Sequence, residues 1–193
     1  MAENRRIIIG ISGASGAIYG VRLLQILQPL AIETHLVMSR SARMTLAQET
    51  DFTVADVKAL ADAHYASEDL GAAISSGSFK TLGMIVAPCS VRSLSEIACG
   101  TTSTLLTRAA DVVLKERRRL VLMLRETPLH AGHIQTMLRA TEAGAIIAPP
   151  VPAFYNRPET IAQMVDHSLG RVLDLFDIDT GLVKRWTGLD ASR

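Results

Sequence analysis

The sequence predicts an α/β protein with a mainly parallel sheet. Five short apolar segments each run directly into small, hydroxylated or charged residues. Segments with helical spacing separate them, and this alternation is typical of a parallel sheet covered by helices. The carboxyl ends of parallel strands share one edge of the sheet, so the residues after the strands should form one crevice, where such folds bind ligands.

The first unit is a predicted strand at 7–11, a glycine turn and a helix at 18–27. The turn contains Gly13, Ala14 and Ser15. Small residues there let backbone N–H groups approach a phosphate, and the amino end of the helix favours negative charge. The spacing is not GxGxxG and no Walker lysine follows, so a purely structural turn is the alternative.

The second predicted strand, 33–38, ends at Ser39 and Arg40. A dinucleotide site normally has an acidic residue near this position to bind the adenosine ribose, so NAD is disfavoured. A hydroxyl here better suits a mononucleotide phosphate or a ribityl chain, although Ser39 is equally suited to cap the next helix. That helix should run through Leu46, and a second one should cover 54–64.

The third strand, 84–87, is followed by two further hydroxyl donors, Ser90 and Ser93. Cys89 at its end has no histidine partner nearby and is interpreted as a buried thiol. Two more strands should occupy 120–124 and 145–148. The remaining helices are predicted at 94–99, 105–116, 134–143 and 159–176, the last of them leading into a tail that contains Trp186.

Composition limits the function classes. The 193 residues are predicted to form a single domain over 1–193 with a C-terminal helical tail, and the net charge of +1 gives no reason to expect nucleic-acid or membrane binding. No signal peptide or membrane span is visible at the amino terminus and only two cysteines occur, so a cytoplasmic protein is expected. His130 and His133 lack an accompanying acidic or thiolate ligand, so no metal site is predicted.

The chain resembles the UbiX-like flavin prenyltransferase family over nearly its whole length, from Ile7 to Trp186. Seven segments carry the resemblance in order: GISGASGAIYG at 10–20, LVMSRSA at 36–42, ETD at 49–51, PCSVRSLS at 88–95, TRAADVVLKERR at 107–118, RETPL at 125–129 and PPVPAFYNRP at 149–158. The resemblance implies a Rossmann-like (flavodoxin-like) three-layer domain that holds reduced FMN and transfers the prenyl group of dimethylallyl monophosphate to flavin N5 and C6. It further implies prenylated FMN as the product, a UbiD-like decarboxylase as its recipient, ubiquinone biosynthesis as the setting, and a homo-oligomer, a dodecamer in this family.

The resemblance also implies the site residues, all at motif positions of this chain. Flavin contacts are expected from Gly13, Ala14, Ser15, Ser39, Ser90, Val91, Arg92, Ser93 and Arg125. The prenyl phosphate is expected to meet Arg108, Lys115, Arg125, Tyr155 and Arg171, and the catalytic groups are expected to be Ser15, Glu49, Lys115 and Glu126.

Taken alone, several of these residues have ordinary structural explanations. Lys115 suits a helix carboxyl end, and Arg171 suits a solvated helix face. Tyr155 suits a loop anchor, and Ser15 suits the turn itself. Glu49 suits a cap of local backbone, and Glu126 suits a partner for Arg125 or for a neighbouring subunit. The chain departs from the family pattern at Leu124, at Arg119 and in HAGHIQTM after RETPL.

The chemistry separates the remaining alternatives. Cleavage of an allylic C–O bond leaves an anionic phosphate, which fixed Arg and Lys groups stabilise. No DDxxD-like aspartate cluster is present to hold magnesium on a diphosphate, so a monophosphate donor and metal-independent transfer are favoured. Two other functions stay open, a non-catalytic FMN carrier and a flavin-dependent aromatic-acid decarboxylase.

Overall fold

The computed structural model describes residues 5–183, together with 185 and 188. These residues form two compact units, Met1–Pro150 and Val151–Arg193 in chain extent. All strands of the sheet lie in the first unit. The predicted single domain over 1–193 stays a prediction, and Trp186 of the predicted tail lies outside the described residues.

The first unit is built on a six-stranded sheet in the order β3-β2-β1-β4-β5-β6, and every pairing in it is parallel. Without the short edge strand β3, the order reduces to that of flavodoxin, so the predicted α/β class and parallel sheet are confirmed. The chain reverses its direction of travel between β1 and β4, which makes their carboxyl ends the topological switch point. The strands are β1 (Arg6–Ile11), β2 (Glu33–Met38), β3 (Ala63–Tyr65), β4 (Gly83–Cys89), β5 (Arg119–Leu124) and β6 (Ala145–Ile147).

The helices connect successive strands, as parallel pairing requires. In the first unit they are α1 (Ala17–Leu27), α2 (Arg40–Glu49), α3 (Val54–Ala59), α4 (Val91–Ala98), α5 (Leu105–Lys115) and α6 (Ala131–Glu142), with a 3₁₀ turn at Ala73–Ser75. The second unit contains α7 (Ile161–Asp174).

The central strands are apolar on both faces because helices cover both faces of the sheet. In β1, residues 7–11 are all buried, and β4 is buried throughout. A continuous apolar run rather than an alternating one is the signature of a strand in a parallel sheet. Leu105, Leu106 and Ala109 of α5 belong to the core cluster on one face of this sheet.

The predicted helix over 54–64 is wrong in its second half. Helix α3 ends at Ala59, and Ala63–Tyr65 forms β3 beside β2. Asp62 fixes this pairing, because its carboxylate accepts hydrogen bonds from the Thr34 backbone N–H (2.7 Å) and hydroxyl (2.8 Å). A tertiary contact overrides the helical propensity of an alanine-rich segment here.

Buried His35 makes the stability of the fold depend on pH. Its ring is 3% exposed, its Nδ1 is 2.9 Å from the Tyr65 hydroxyl, and its Nε2 is 3.0 Å from Glu33 Oε1, at an angle outside that of a regular hydrogen bond. Burial lowers the pKa of His35 below its usual value, and the nearby charge of Glu33 only partly offsets this effect.

We expect the free energy of unfolding to fall as the pH drops from 7.5 to 5.5. The unfolded chain takes up a proton at the ordinary histidine pKa of about 6.5, whereas the folded chain resists protonation at His35. The lowered pKa of Glu33, due first to its hydrogen bond with Arg6, affects stability only at more acidic pH. Urea unfolding at both pH values should show a smaller difference for His35→Gln than for wild type, while His64→Gln, at an exposed position of β3, should keep the wild-type difference. Equal pH dependence in His35→Gln and wild type would contradict this assignment.

Candidate active site

A cavity of about 400 Å³ opens at the carboxyl edge of the sheet. Three helix amino ends meet at its wall, those of α2, α4 and α5, and each begins with a hydroxyl residue whose side chain caps the helix. Helix amino ends present unpaired N–H groups and partial positive charge, so the cavity is suited to an anion. Its lining residues are Ser39, Arg40, Ser41, Met44, Ser67, Glu68, Ser90, Arg92, Ser93, Glu96, Thr104, Leu106 and Thr107.

The N-cap alternative for Ser39 is confirmed, and its flavin contact stays a prediction. It caps α2 by accepting a hydrogen bond from the Ala42 N–H (3.1 Å), and it lines the cavity. The glycine turn packs directly on this helix, because a Cβ atom at Gly13 would lie only 2.2 Å from Ser41 Oγ. Only glycine therefore fits at position 13, and the turn is held against the cavity wall.

Helix α4 contributes Ser90, Arg92 and Ser93 to the wall. The Ser90 hydroxyl accepts from the Ser93 N–H (3.2 Å), while its own hydrogen is directed at Ser93 Oγ (3.1 Å). Arg92 pairs with Glu96 at 2.9 Å. Val91 begins the helix but is not part of the lining, and its flavin contact stays a prediction.

Sequence reasoning missed the contribution of α5 and of the loop before it. Thr104 and Thr107 form a capping box at the start of α5, and both line the cavity. Ser67 is 3% exposed and also lines it, and its carbonyl accepts from the Leu105 N–H at 2.8 Å. The TSTLLT segment carries the signal of such a cap, a threonine followed three residues later by a polar residue before an apolar run.

The amino end of α1 is occupied by a carboxylate of the protein itself. Gly16, at φ 100°, offers no side-chain cap, and Glu49 Oε2 instead accepts from the N–H groups of Gly16 (2.7 Å) and Ala17 (3.0 Å). The sequence predicts a phosphate at this helix end, and the structure places Glu49 there. Glu49 therefore caps the distant α1 amino end and not local backbone, and its catalytic role stays a prediction.

Glu49 also connects Ser15 with Arg125. Partial loss of hydration raises the pKa of Glu49, but hydrogen bonds from the Ser15 side chain and the two backbone N–H groups, together with the charge of Arg125, bring it below its ordinary value. Glu49 is thus an anion that orients the Ser15 hydroxyl. Ser15 itself is exposed at the turn.

Arg125 and Glu126 follow β5 at the same edge of the sheet. The Arg125 N–H donates to the Cys89 carbonyl at 3.0 Å, which places it beside Ser90. Glu126 is exposed, and its carboxylate accepts from the Thr127 N–H at 3.0 Å. Burial raises the pKa of the Cys89 thiol to about 12, so this cysteine is a packing residue and not a nucleophile.

Arg108 and Lys115, two of the predicted phosphate-binding cations, are not among the cavity-lining residues, and each pairs with a nearby carboxylate. Arg108 in the first turn of α5 pairs with Asp111 at 2.8 Å. Lys115 lies at the opposite end of that helix from the cavity, and 11 residues of helix span about 16 Å. Its ammonium group pairs with Glu116 beside Gly77, on the side where β5 begins.

The second unit contains Tyr155 and Arg171. The Tyr155 hydroxyl is 3.0 Å from Nε2 of the buried His167, and the two rings meet edge to face. Arg171 pairs with Asp174 at 2.8 Å, and Asp174 also binds Arg185 through both oxygens. This unit therefore concentrates cations around Asp174 beside a half-exposed phenol.

Three further observations concern metal and membrane. His130 caps α6 through Nδ1, and its ring stacks on that of His133 at 3.6 Å. No group of three or more potential metal ligands among His, Cys, Asp and Glu occurs within residues 5–183, 185 and 188. Over the same residues, none of the helices has the length and hydropathy that a membrane crossing needs.

Comparison with known proteins gives the class of protein to which this fold and this cavity belong. A family model described as Flavoprotein matches residues 1–185. The chain is 58% identical over 187 residues to the flavin prenyltransferase UbiX of Escherichia coli K12, a match that covers 95% of this chain and 99% of that protein.

Solved structures agree with this match. AnUbiX (PadA1), crystallised in complex with FMN and dimethylallyl pyrophosphate, superposes with a TM-score of 0.95 at 50% identity and covers 97% of this chain and 100% of its own. A dodecameric FMN-dependent UbiX-like decarboxylase from Escherichia coli O157:H7 gives a TM-score of 0.93 at 49% identity, with 95% and 100% coverage. The chain belongs to the UbiX-like flavin prenyltransferases.

Proposed function

We propose that this protein transfers the dimethylallyl group of dimethylallyl monophosphate to N5 and C6 of reduced FMN and so makes prenylated FMN. The observation that carries the proposal is the joining of two sites at one sheet edge, an anion-binding cavity and the Ser15–Glu49–Arg125 cluster. A UbiD-like decarboxylase in the cytoplasm is the proposed recipient of the product, with ubiquinone biosynthesis as the setting.

The cavity suits FMN in its donor set. Hydroxyl groups of Ser39, Ser90 and Thr104 lie beside three helix amino ends, where a phosphate monoester is bound without a metal. Arg40 and Arg92 also lie at the wall, but each pairs with a glutamate of the same wall, Glu68 at 3.6 Å and Glu96 at 2.9 Å. The helix amino ends, and not net side-chain charge, therefore make the cavity suitable for a phosphate. When bound, reduced FMN supplies N5 and C6, the two atoms that the prenyl group joins.

The chain's own residues supply charge and proton transfer. Arg125 and the cations Lys115, Arg108 and Arg171 are proposed to hold the phosphate as the allylic C–O bond breaks. Glu126 is proposed to accept the proton lost from C6, because its carboxylate is exposed at the sheet edge and, among the described residues, accepts only from the neighbouring Thr127 N–H. Glu49, already held by three donors, orients Ser15 for its role near N5.

The identity of the donor is proposed from the sequence. AnUbiX was solved with a dimethylallyl diphosphate. The present chain has no aspartate cluster of the kind that holds magnesium on a diphosphate, which supports a monophosphate as the reacting ester.

The position of Lys115 supports a homo-oligomer, for which we propose a dodecamer. Lys115 lies at the end of α5 that is away from the cavity of its own chain. It would therefore bind a phosphate at the edge of a neighbouring chain's cavity. Helix α6 supports the same assembly, because Ile134 (56% exposed) and Leu138 (57% exposed) lie one turn apart on its surface, after Leu129 (42% exposed).

One experiment distinguishes the enzyme from the two alternatives. Purified protein is incubated without oxygen with chemically reduced FMN and dimethylallyl monophosphate, and the released flavin is analysed by mass spectrometry. We expect flavin whose mass has increased by one prenyl group. Unmodified flavin, with both reactants shown to be bound, would indicate a carrier, and carbon dioxide release from an aromatic acid by the isolated protein would indicate a decarboxylase.

A further inference from the structure

Ser12 is a fully buried hydroxyl at the switch point, and neither the cavity nor the proposed chemistry uses it directly. It follows β1 and is 0% exposed. Its Oγ donates to the Pro88 carbonyl at 2.8 Å and accepts from the Ser90 N–H at 2.7 Å. Its own N–H donates to the same Pro88 carbonyl at 3.2 Å.

These contacts replace a missing part of the parallel ladder. Pairing of β1 with β4 ends at Gly10 and Val86, and the register of β4 with β5 shifts between Val86 and Cys89. Pro88 has no N–H to donate, so the backbone ladder is interrupted at this residue. The Ser12 hydroxyl bridges the gap, because it serves one acceptor and one donor on either side of Cys89.

Two turns that line the site are thereby joined. Ser12 immediately precedes the Gly13–Ser15 turn, and Ser90 caps α4 at the cavity wall. The Ser90 N–H is bound to Ser12, and the Ser93 N–H is bound to the Ser90 hydroxyl. The first-turn N–H groups left to bind an anion are therefore those of Val91 and Arg92. The position of Ser12 sets where these amides point.

We propose that Ser12 is a positioning residue that fixes the α4 amino end against the glycine turn. The phosphate of bound FMN and the Ser15 hydroxyl are thereby held at a fixed position relative to each other. This inference rests on the proposed function, since it concerns the site that reduced FMN occupies there. Loss of the Ser12 hydroxyl is expected to weaken flavin binding and to misplace the flavin relative to Ser15. It is not expected to change binding of the prenyl donor.

Thr34 provides a matched control. It is 1% exposed, its hydroxyl donates to Asp62 Oδ2 at 2.8 Å, and it accepts from the Asp62 N–H at 3.1 Å. This is the same pattern of one acceptor and one backbone N–H, but Thr34 lies near the start of β2, away from the carboxyl edge. Thr34→Val and Ser12→Ala therefore each remove one donated and one accepted hydrogen bond of a buried hydroxyl, and only the second changes the site.

The test measures both a flavin-independent and a flavin-dependent property. In Ser12→Ala, amide hydrogen exchange should accelerate at Ser90, and the dissociation constant for FMN should rise by roughly 10- to 100-fold, as for weakened charge-assisted hydrogen bonds from the α4 amides to the phosphate. Thr34→Val should leave the FMN dissociation constant within about 2-fold of wild type although it also loses the hydrogen bonds of a buried hydroxyl. Ser12→Thr, which keeps the hydroxyl, should recover protection at Ser90.

The outcomes separate the two proposals. If wild type binds FMN and Ser12→Ala binds it as tightly as Thr34→Val does, then Ser12 is only structural and the positioning role is overturned. If Ser90 exchanges no faster in Ser12→Ala than in wild type, the bridge itself is overturned, whatever the flavin does. A wild-type protein that takes up no FMN would overturn the proposed function, and the positioning role with it.

Discussion

Glu126→Gln is expected to retain flavin and to lower the rate of prenyl transfer by about 100- to 10,000-fold, the usual contribution of a general base. The substitution removes the basic oxygen but keeps the shape of the side chain. Glu126 is exposed, and its carboxylate accepts from one backbone N–H, so the change should not disturb the fold. Single-turnover reactions with reduced FMN, followed by mass analysis of the flavin, give the rate.

Glu49→Gln is the matched comparison and should behave differently. Glu49 accepts hydrogen bonds from Ser15, Gly16 and Ala17, so a glutamine presents an N–H₂ group where donors are crowded. We expect weaker flavin binding and lower stability of the α1 amino end, with a smaller fall in the transfer rate at saturating flavin. If Glu49→Gln instead retains flavin and loses turnover while Glu126→Gln is active, the two roles must be exchanged.

The sequence predicts the sheet because parallel strands buried on both faces leave a simple pattern. β2 occupies Glu33–Met38, the predicted bounds, and β1, β4, β5 and β6 fall within two residues of theirs. β3 is different, since three residues with no apolar run carry no such pattern. Its existence depends on the hydrogen bonds between Asp62 and Thr34, which only the folded chain brings together.

In the site too, residues that directly follow predicted strands are predictable from the sequence, and residues in long connections are not. Ser39, Ser90, Arg92 and Ser93 follow predicted strands, and the structure brings them to one cavity, as the switch-point rule requires. Ser67 escapes prediction because it lies in a long connection and not after an apolar strand.

Contacts across long sequence separations are the part that the sequence does not reveal. Glu49 caps a helix that begins 32 residues before it, and the Ser12 hydroxyl binds Ser90, 78 residues away. Neither residue stands at a position that a local motif marks for that contact. Both contacts arise because the parallel topology brings the ends of β1, α2 and β4 to one edge of the sheet.

Lys115→Ala is expected to abolish transfer in every site of a pure variant, although Lys115 lies about one helix length from the cavity of its own chain. The loss should be on the order of 1,000-fold, because a fixed cation on the departing phosphate is removed. Lys58→Ala is the control, since Lys58 also lies in the last turn of a helix, α3, and has no proposed role. It should retain wild-type turnover in the same single-turnover assay.

Mixing two inactive variants identifies the subunit that supplies the lysine. Lys115→Ala and Glu126→Gln chains are co-expressed with different affinity tags, and oligomers that carry both tags are isolated. If Lys115 acts on a neighbouring site, a site is intact when its own chain is Lys115→Ala and the neighbouring chain is Glu126→Gln, which gives about one quarter of wild-type turnover for random assembly. Mixed oligomers as inactive as either parent would place Lys115 in its own chain's site, and the assembly argument from α5 would then fail. Full activity of pure Lys115→Ala would remove this lysine from the phosphate site altogether.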